Sequence, residues 1–209
     1  MRRRFFKRAR KPAAKSAKAV ATKALRIAKK LRNESEIEWY PLTALSQNIS
    51  TSATVDHLTP IATGDANNSR DGYVIDLKSV YGTFDVQRNS SSTVQSQTVC
   101  IAIVRMISGL APATAPSFLS IFSANAPTAL PNHDNQGTFK IIGRWVFNLD
   151  TYHPQKVINF YKKVNAKAYY QGTAGSNTTK GQLYLLYISS ESTNVPTLTY
   201  RLATSYVDH

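Results

Sequence analysis

The chain has 209 residues and a formal net charge of +14, although only 18% of its residues are charged, fewer than the roughly 25% usual in soluble domains. Residues 1–32 carry 14 of the 26 Lys and Arg and none of the 12 acids, so residues 33–209 hold 12 of each and are formally neutral. This partition argues against a protein that is basic throughout, of ribosomal type. Hydrophobic and aromatic contents of 42% and 10% argue against a fully disordered chain.

The order of the chain is expected to be a basic arm, 1–33, and one domain, 34–209, of ordinary size. No run of about 18 apolar residues suggests a membrane span, and no secretory apolar region follows the N-terminal arginines. A single cysteine, Cys100, allows no internal disulfide and fits a reducing compartment. The triplets that begin at Asn48, Asn67, Asn89 and Asn177 have glycosylation spacing. Without a leader they read as polar loop residues.

Within the arm, Met1–Pro12 is densely basic around the pair Phe5 and Phe6. Ala13–Arg32 is rich in the helix formers Ala, Lys and Leu. At helical spacing, Val20, Ala24, Ile27, Ala28 and Leu31 share one face, opposite Lys15, Lys18, Arg26, Lys29 and Lys30. Leu25 breaks the pattern. Repulsion among the like charges predicts a segment disordered or partly helical when free, which folds against a polyanion or a partner.

Three functions fit such an arm. The first is nucleic-acid binding by counterion release, carried by Arg2, Arg3, Arg4, Lys7, Arg8, Arg10, Lys11, Lys15, Lys18, Lys23, Arg26, Lys29, Lys30 and Arg32. The second is nuclear import, with Arg2, Arg3, Arg4, Lys7, Arg8, Arg10 and Lys11 as the signal for host import receptors. The third is a mitochondrial presequence on an imported β-sandwich binding module. The third loses ground because presequences usually carry fewer charges and more Ser.

After the acids Glu34, Glu36 and Glu38, the body reads as strands. Residues 42–61 suggest one long strand. A turn cluster over 64–72 follows. Tyr73, Ile75 and Leu77 alternate with Asp76 and Lys78, and beyond Ser79 the apolar parity shifts to Val80, Gly82, Phe84 and Val86. Such a shift beside a glycine predicts a bulge or a strand break. Thr98–Ile107 is apolar on both faces except at Arg105, so a long loop or a neighbouring subunit is expected to cover it. Residues 109–137 are irregular, with a short helix expected at Ser117–Phe122. Strands resume at Phe139–Leu149, with Ile141, Trp145, Phe147 and Leu149 on one face. In Val157–Tyr170, Ile158, Phe160, Val164 and Ala166 are expected inward. Leu183–Ile188 is again two-sided, and Leu198, Tyr200, Leu202 and Tyr206 complete the last strand.

About eight strands with no βαβ rhythm predict an antiparallel sandwich or barrel. Loops of 10–29 residues favour a jelly roll. The expected fold is mainly β: a single eight-stranded antiparallel jelly roll behind a basic arm.

Chemistry is sparse. No P-loop, GxGxxG, GxSxG, HExxH or CxxC occurs. His57, His133, His153 and His209 lack metal-ligand spacing. Cys100 sits inside an apolar run, as an inert buried thiol does. Asp65, Asp71, Asp134 and Asp208 would make at most a weak calcium site between subunits, and no metal or cofactor is expected. Lys162, Lys163 and Lys167 lie among Phe160, Tyr161, Tyr169 and Tyr170. Cations interleaved with aromatics hold phosphates and stack bases; a strand with one solvated face has the same composition. Nothing in the sequence marks an enzyme.

The arm MRRRFFKRARK, the strands TVCIAIVRMIS and TFKIIGRWVFNLD, FYKKVNAKAYY, LYLLYIS and the closing TYRLATSYVDH are found in that order. This arrangement resembles the single jelly-roll capsid proteins of small circular Rep-encoding single-stranded DNA viruses (circovirus-like) and of satellite tobacco necrosis virus. The resemblance implies a self-assembling icosahedral shell of about 60 subunits in the simplest case. Its arms would face inward on a single-stranded genome, DNA rather than RNA. It also implies residence in the virion, and in the host nucleus during assembly.

Overall fold

The computed structural model describes residues 20–27, 37–66, 68–108, 115–175 and 180–208. The chain divides into two compact units, Met1–Ser35 and Glu36–His209. In the first, residues 20–27 are helical (α1) with every side chain exposed. Leu25 and Ile27 are about half accessible, at 59% and 49%. No helix of the described residues is long and apolar enough to cross a membrane.

The second unit contains eight strands: β1 (Glu38–Asn48), β2 (Thr54–His57), β3 (Val74–Gln87), β4 (Ser96–Met106), β5 (Phe139–Asp150), β6 (Gln155–Tyr169), β7 (Leu183–Ser189) and β8 (Thr197–Asp208). They form two four-stranded sheets, β1-β8-β3-β6 and β2-β7-β4-β5, and every pairing is antiparallel. The pairs β1·β8, β2·β7, β3·β6 and β4·β5 are those of one long hairpin folded over on itself. This is the jelly-roll order.

The expected strand over 42–61 is in fact two. The chain leaves the first sheet after Asn48 and enters the second at Thr54. Between them Ile49 is buried, with its N–H donated to the Pro196 carbonyl at 2.9 Å. Ser50 and Ser52 make the turn through a hydroxyl–backbone contact of 3.1 Å. Alternation of Thr, Ser and Val cannot show such a change of sheet, because the residues on both sides of it remain half-buried.

The parity shift at Ser79 is a bulge within one continuous strand. The register of β3 slips between Leu77 and Ser79 against both β6 and β8. Ile75 and Leu77 before it, and Val80, Phe84 and Val86 after it, all reach the same core. Gly82 lies opposite Leu202 at φ 152°, and a Cβ there would strike the Arg201 carbonyl. Glycine is what lets β3 and β8 stay this close. A second slip, between Ile103 and Val104 on β4, corrects the face expected for Ile141. Ile142, Trp145, Phe147 and Leu149 face the inter-sheet core, and Ile141 packs on the opposite side.

The cover of the two-sided strands is intramolecular. Cys100, Ala102, Val104 and Met106 of β4, and Tyr184, Leu186 and Ile188 of β7, pack beneath Phe118, Ile121 and Phe122 of the long loop. The expected helix is a single turn, α2 (Phe118–Ile121), capped by Ser117, whose side chain accepts from the Ser120 N–H at 3.1 Å. Phe118 and Phe122 stack at 4.5 Å. Arg144 of β5 pins the loop from outside, lying over the Phe122 ring at 4.9 Å and donating to the Pro127 carbonyl at 2.9 Å. Burial pushes the Cys100 thiol pKa up, which keeps it protonated and unreactive.

The inter-sheet core is centred on an aromatic triad. Phe84 contacts Phe160 at 4.8 Å and Trp145 at 5.3 Å, and the last two meet at 4.9 Å. Phe84→Ala should therefore destabilise the body by about 3–5 kcal/mol in chemical denaturation. Tyr152→Ala, at a side chain 90% exposed, should stay within about 0.5 kcal/mol of the parent.

Candidate assembly and nucleic-acid-binding surfaces

Of the fourteen arm cations expected to bind nucleic acid, Lys23 and Arg26 fall in α1, where both are exposed. The other twelve, among them the whole expected import signal, lie outside the described residues.

The lysines of β6 do not form one cluster. β6 is an edge strand, and its successive side chains alternate between faces. Lys163 and Lys167 are exposed on the outer face, and Lys167 approaches Asp76 at 3.9 Å. Lys162 has the opposite parity, half-buried beside the core, with its Nζ 5.8 Å from the centre of the Trp145 ring. The outward parity of Lys163 and Lys167, with Lys162 breaking the alternation, is what the sequence leads one to expect. Charged side chains along an exposed edge also oppose pairing of one sheet with another.

The outer face of the β1-β8-β3-β6 sheet is the other notable surface. Tyr81 and Tyr161 are directly opposite in the register, and Trp39 meets Tyr81 edge-on at 5.4 Å. All three are exposed, Tyr161 by 60%. Sequence periodicity marks them only as outward positions and cannot show that residues 42 and 80 positions apart are brought together.

The carboxylates weighed for calcium are split. Asp65 and Asp71 line a cleft of about 540 Å3 with Glu38, and the Asp71 N–H is donated to the Asp208 carboxylate. Asp134 belongs to a 3-10 turn, His133–Asn135, in the long loop. Among the described residues, no group of three or more His, Cys, Asp or Glu is placed to hold a metal ion.

The end of the sandwich where β2 stops and β7 starts is tied by a polar network. Thr59 Oγ1 accepts from the Leu183 N–H at 3.2 Å and donates to Gln182 Oε1 at 2.6 Å. That oxygen is an acceptor only, so the 3.3 Å contact from His57 Nε2 places the ring proton on Nε2. His57 also stacks on Tyr184 at 4.9 Å. Burial lowers its pKa from 6.5 to about 4, against a smaller raising effect of Gln182. Above pH 6.5 both folded and unfolded states keep this ring neutral. Between pH 6.5 and about 4 the unfolded chain binds the proton first, so stability falls as pH falls. The loss should reach about 3 kcal/mol, and His57→Gln should flatten that part of a stability–pH curve.

No protein-family profile and no curated protein sequence matches this chain. Solved structures do. A chain of Desmodium yellow mottle tymovirus aligns at TM-score 0.38 and 11% identity, over 84% of this chain and 88% of that one. The empty head of turnip yellow mosaic virus aligns at 0.39 and 11%, over 99% and 90%. A chain of the T13 infectious bursal disease virus particle aligns at 0.35 and 12%, over 82% of this chain but only 31% of its own length. All three structures are of viruses or virus particles. The jelly-roll assignment rests on the strand order itself.

Proposed function

We propose that this chain is a viral capsid protein, whose body builds an icosahedral shell and whose arm holds single-stranded nucleic acid inside it. The observation that carries this reading is the union of a neutral jelly roll, complete in its own core, with an acid-free arm of 14 cations. A neutral body lets copies approach without mutual repulsion. A clustered arm neutralises phosphates without reading bases.

In the simplest shell, T=1 with about 60 copies, arms would bring on the order of 840 cations to the genome. That neutralises a large part of a small single-stranded genome, DNA in this reading, and soluble cations supply the rest. The same basic residues, Arg2–Arg4 and Lys7–Lys11, serve nuclear import before assembly, so the protein passes through the host nucleus on its way to the virion. The exposed outer face bearing Trp39, Tyr81 and Tyr161 offers aromatic area for subunit contacts.

Electron microscopy of the purified protein should show closed particles whose nucleic acid is protected from nuclease. A monodisperse monomer at high concentration across several salts would overturn the reading. A protein starting at Glu34 should keep the β spectrum and lose oligonucleotide binding. For the full chain, the slope of log K against log salt should be on the order of −10 for single strands. An equal slope after removal of the arm would show that the arm is not the ligand.

A further inference from the structure

Sequence and register together place an unbalanced group of cations at one end of the neutral body. Arg105 continues the inward parity of Val99, Ile101 and Ile103, and is the one charge in that strand. It ends over a shallow cleft of about 250 Å3 lined by Arg105, Lys167, Tyr169 and Lys180 together with Met106 and Gly181. No acid lines it. Lys180 Nζ stands 4.5 Å from the centre of the Tyr169 ring. Lys140 of β5 lies directly opposite Arg105 in the register and is exposed. Like charges directly opposite across a ladder destabilise a sheet. In addition, Arg105 Nε is buried without a hydrogen-bond partner, an arrangement that costs stability unless something accepts from it.

The backbone holds this cleft in shape. The Tyr169 N–H is donated to the Lys180 carbonyl at 2.9 Å, and the Gly181 N–H to the Met106 carbonyl at 2.8 Å. The segment therefore straps the end of β6 to the end of β4. Gly181 has φ 82°, and a Cβ there would collide with the Lys167 carbonyl. Only glycine lets the backbone at 181 pass this close to the Lys167 carbonyl. The chain also enters the sandwich at this end. β1 begins at Glu38, opposite Tyr206, and the neighbouring start of β3 pairs Val74 with Tyr169.

We propose that Arg105, Lys140, Lys167 and Lys180 bind the phosphodiester backbone of the packaged strand, with Tyr169 beside them. This is a second nucleic-acid contact, on the body rather than on the arm. It rests on the capsid reading and gives that reading a fixed point where the strand meets the shell. A phosphate there would meet Arg105 where it lines the cleft and relieve the opposition of Arg105 and Lys140. Asp76 stands beside the group as a counter-charge, 3.6 Å from Lys78 and 3.9 Å from Lys167.

The test uses the full chain and a dT oligomer of about 20 nucleotides. Ultraviolet crosslinking followed by peptide mass spectrometry should find crosslinks in the arm and also in the peptide 168–180. In the triple variant Arg105→Gln, Lys140→Gln, Lys180→Gln, the crosslink to 168–180 should fall at least about fivefold and the salt slope should shrink by about 2, at 0.7 per lost contact. Its melting temperature should not fall, because an opposed pair has been removed. Lys180→Gln alone, at an exposed side chain, gives the same crosslink readout with the strands untouched. Arm crosslinks with none at 168–180, or a 168–180 crosslink that survives both variants, would overturn this inference and leave the capsid reading standing. The absence of crosslinks everywhere would overturn both.

Discussion

Each of the two sheets has one face that must leave water, and each is built from strands drawn from both ends of the body. β8, the last strand, lies between β1 and β3; β7 lies between β2 and β4. Neither sheet can bury its inner face until the chain termini have met. The apolar layer holding Phe84, Trp145 and Phe160 is therefore one cooperative object rather than a sum of local hairpins. Such non-local pairing predicts slow folding and explains the bulges in the sheets. An odd residue has to be absorbed within a long strand so that its apolar positions stay on the core face.

Packing also decides what the surface can do. With the outer side of β4 and β7 sealed by Phe118, Ile121 and Phe122, those strands offer nothing to a neighbouring subunit. What stays open is the outer face of the other sheet, the lysine-bearing edge strand β6, and the cationic end around Arg105. Buried polar groups are placed where the sheets need tying. His57, Thr59 and Gln182 bind the end of β2 to the start of β7. Arg70, fully buried, donates to the Ile61 carbonyl at 2.8 Å and the Gly172 carbonyl at 2.7 Å while lying 4.1 Å over the Tyr170 ring. A lone buried cation is costly. Here carbonyls and an aromatic face meet its demands, and two loops are held to the sandwich in return.

Much of the strand pattern was legible because period-two alternation is a local signal. The alternation of Tyr73–Leu77, its shift beyond Ser79, the two-sided run of Thr98–Ile107 and the short helix within Ser117–Phe122 all answer to forces acting within a few residues. The failures share one cause. The sheet change after Asn48 and the turned face of Ile141 depend on which strand lies alongside, and alternation does not encode a partner. Arg105 stood out in its apolar strand, but its partner Lys140 is 35 residues away and Lys180 is 75 away. Their convergence is a matter of register.

By itself the sequence determined the charge partition, an acid-free arm of 14 cations on a body of zero formal charge, and the preference of that body for strands. Charge counts and alternation need no contact map. Tertiary structure alone decided the jelly-roll strand order, the intramolecular cover of β4 and β7, and the place where the neutral body gathers its own cations. The physical reason is that ladder pairing and burial are settled between residues far apart in the chain. Only the folded sheets bring Arg105, Lys140 and Lys180 to one end.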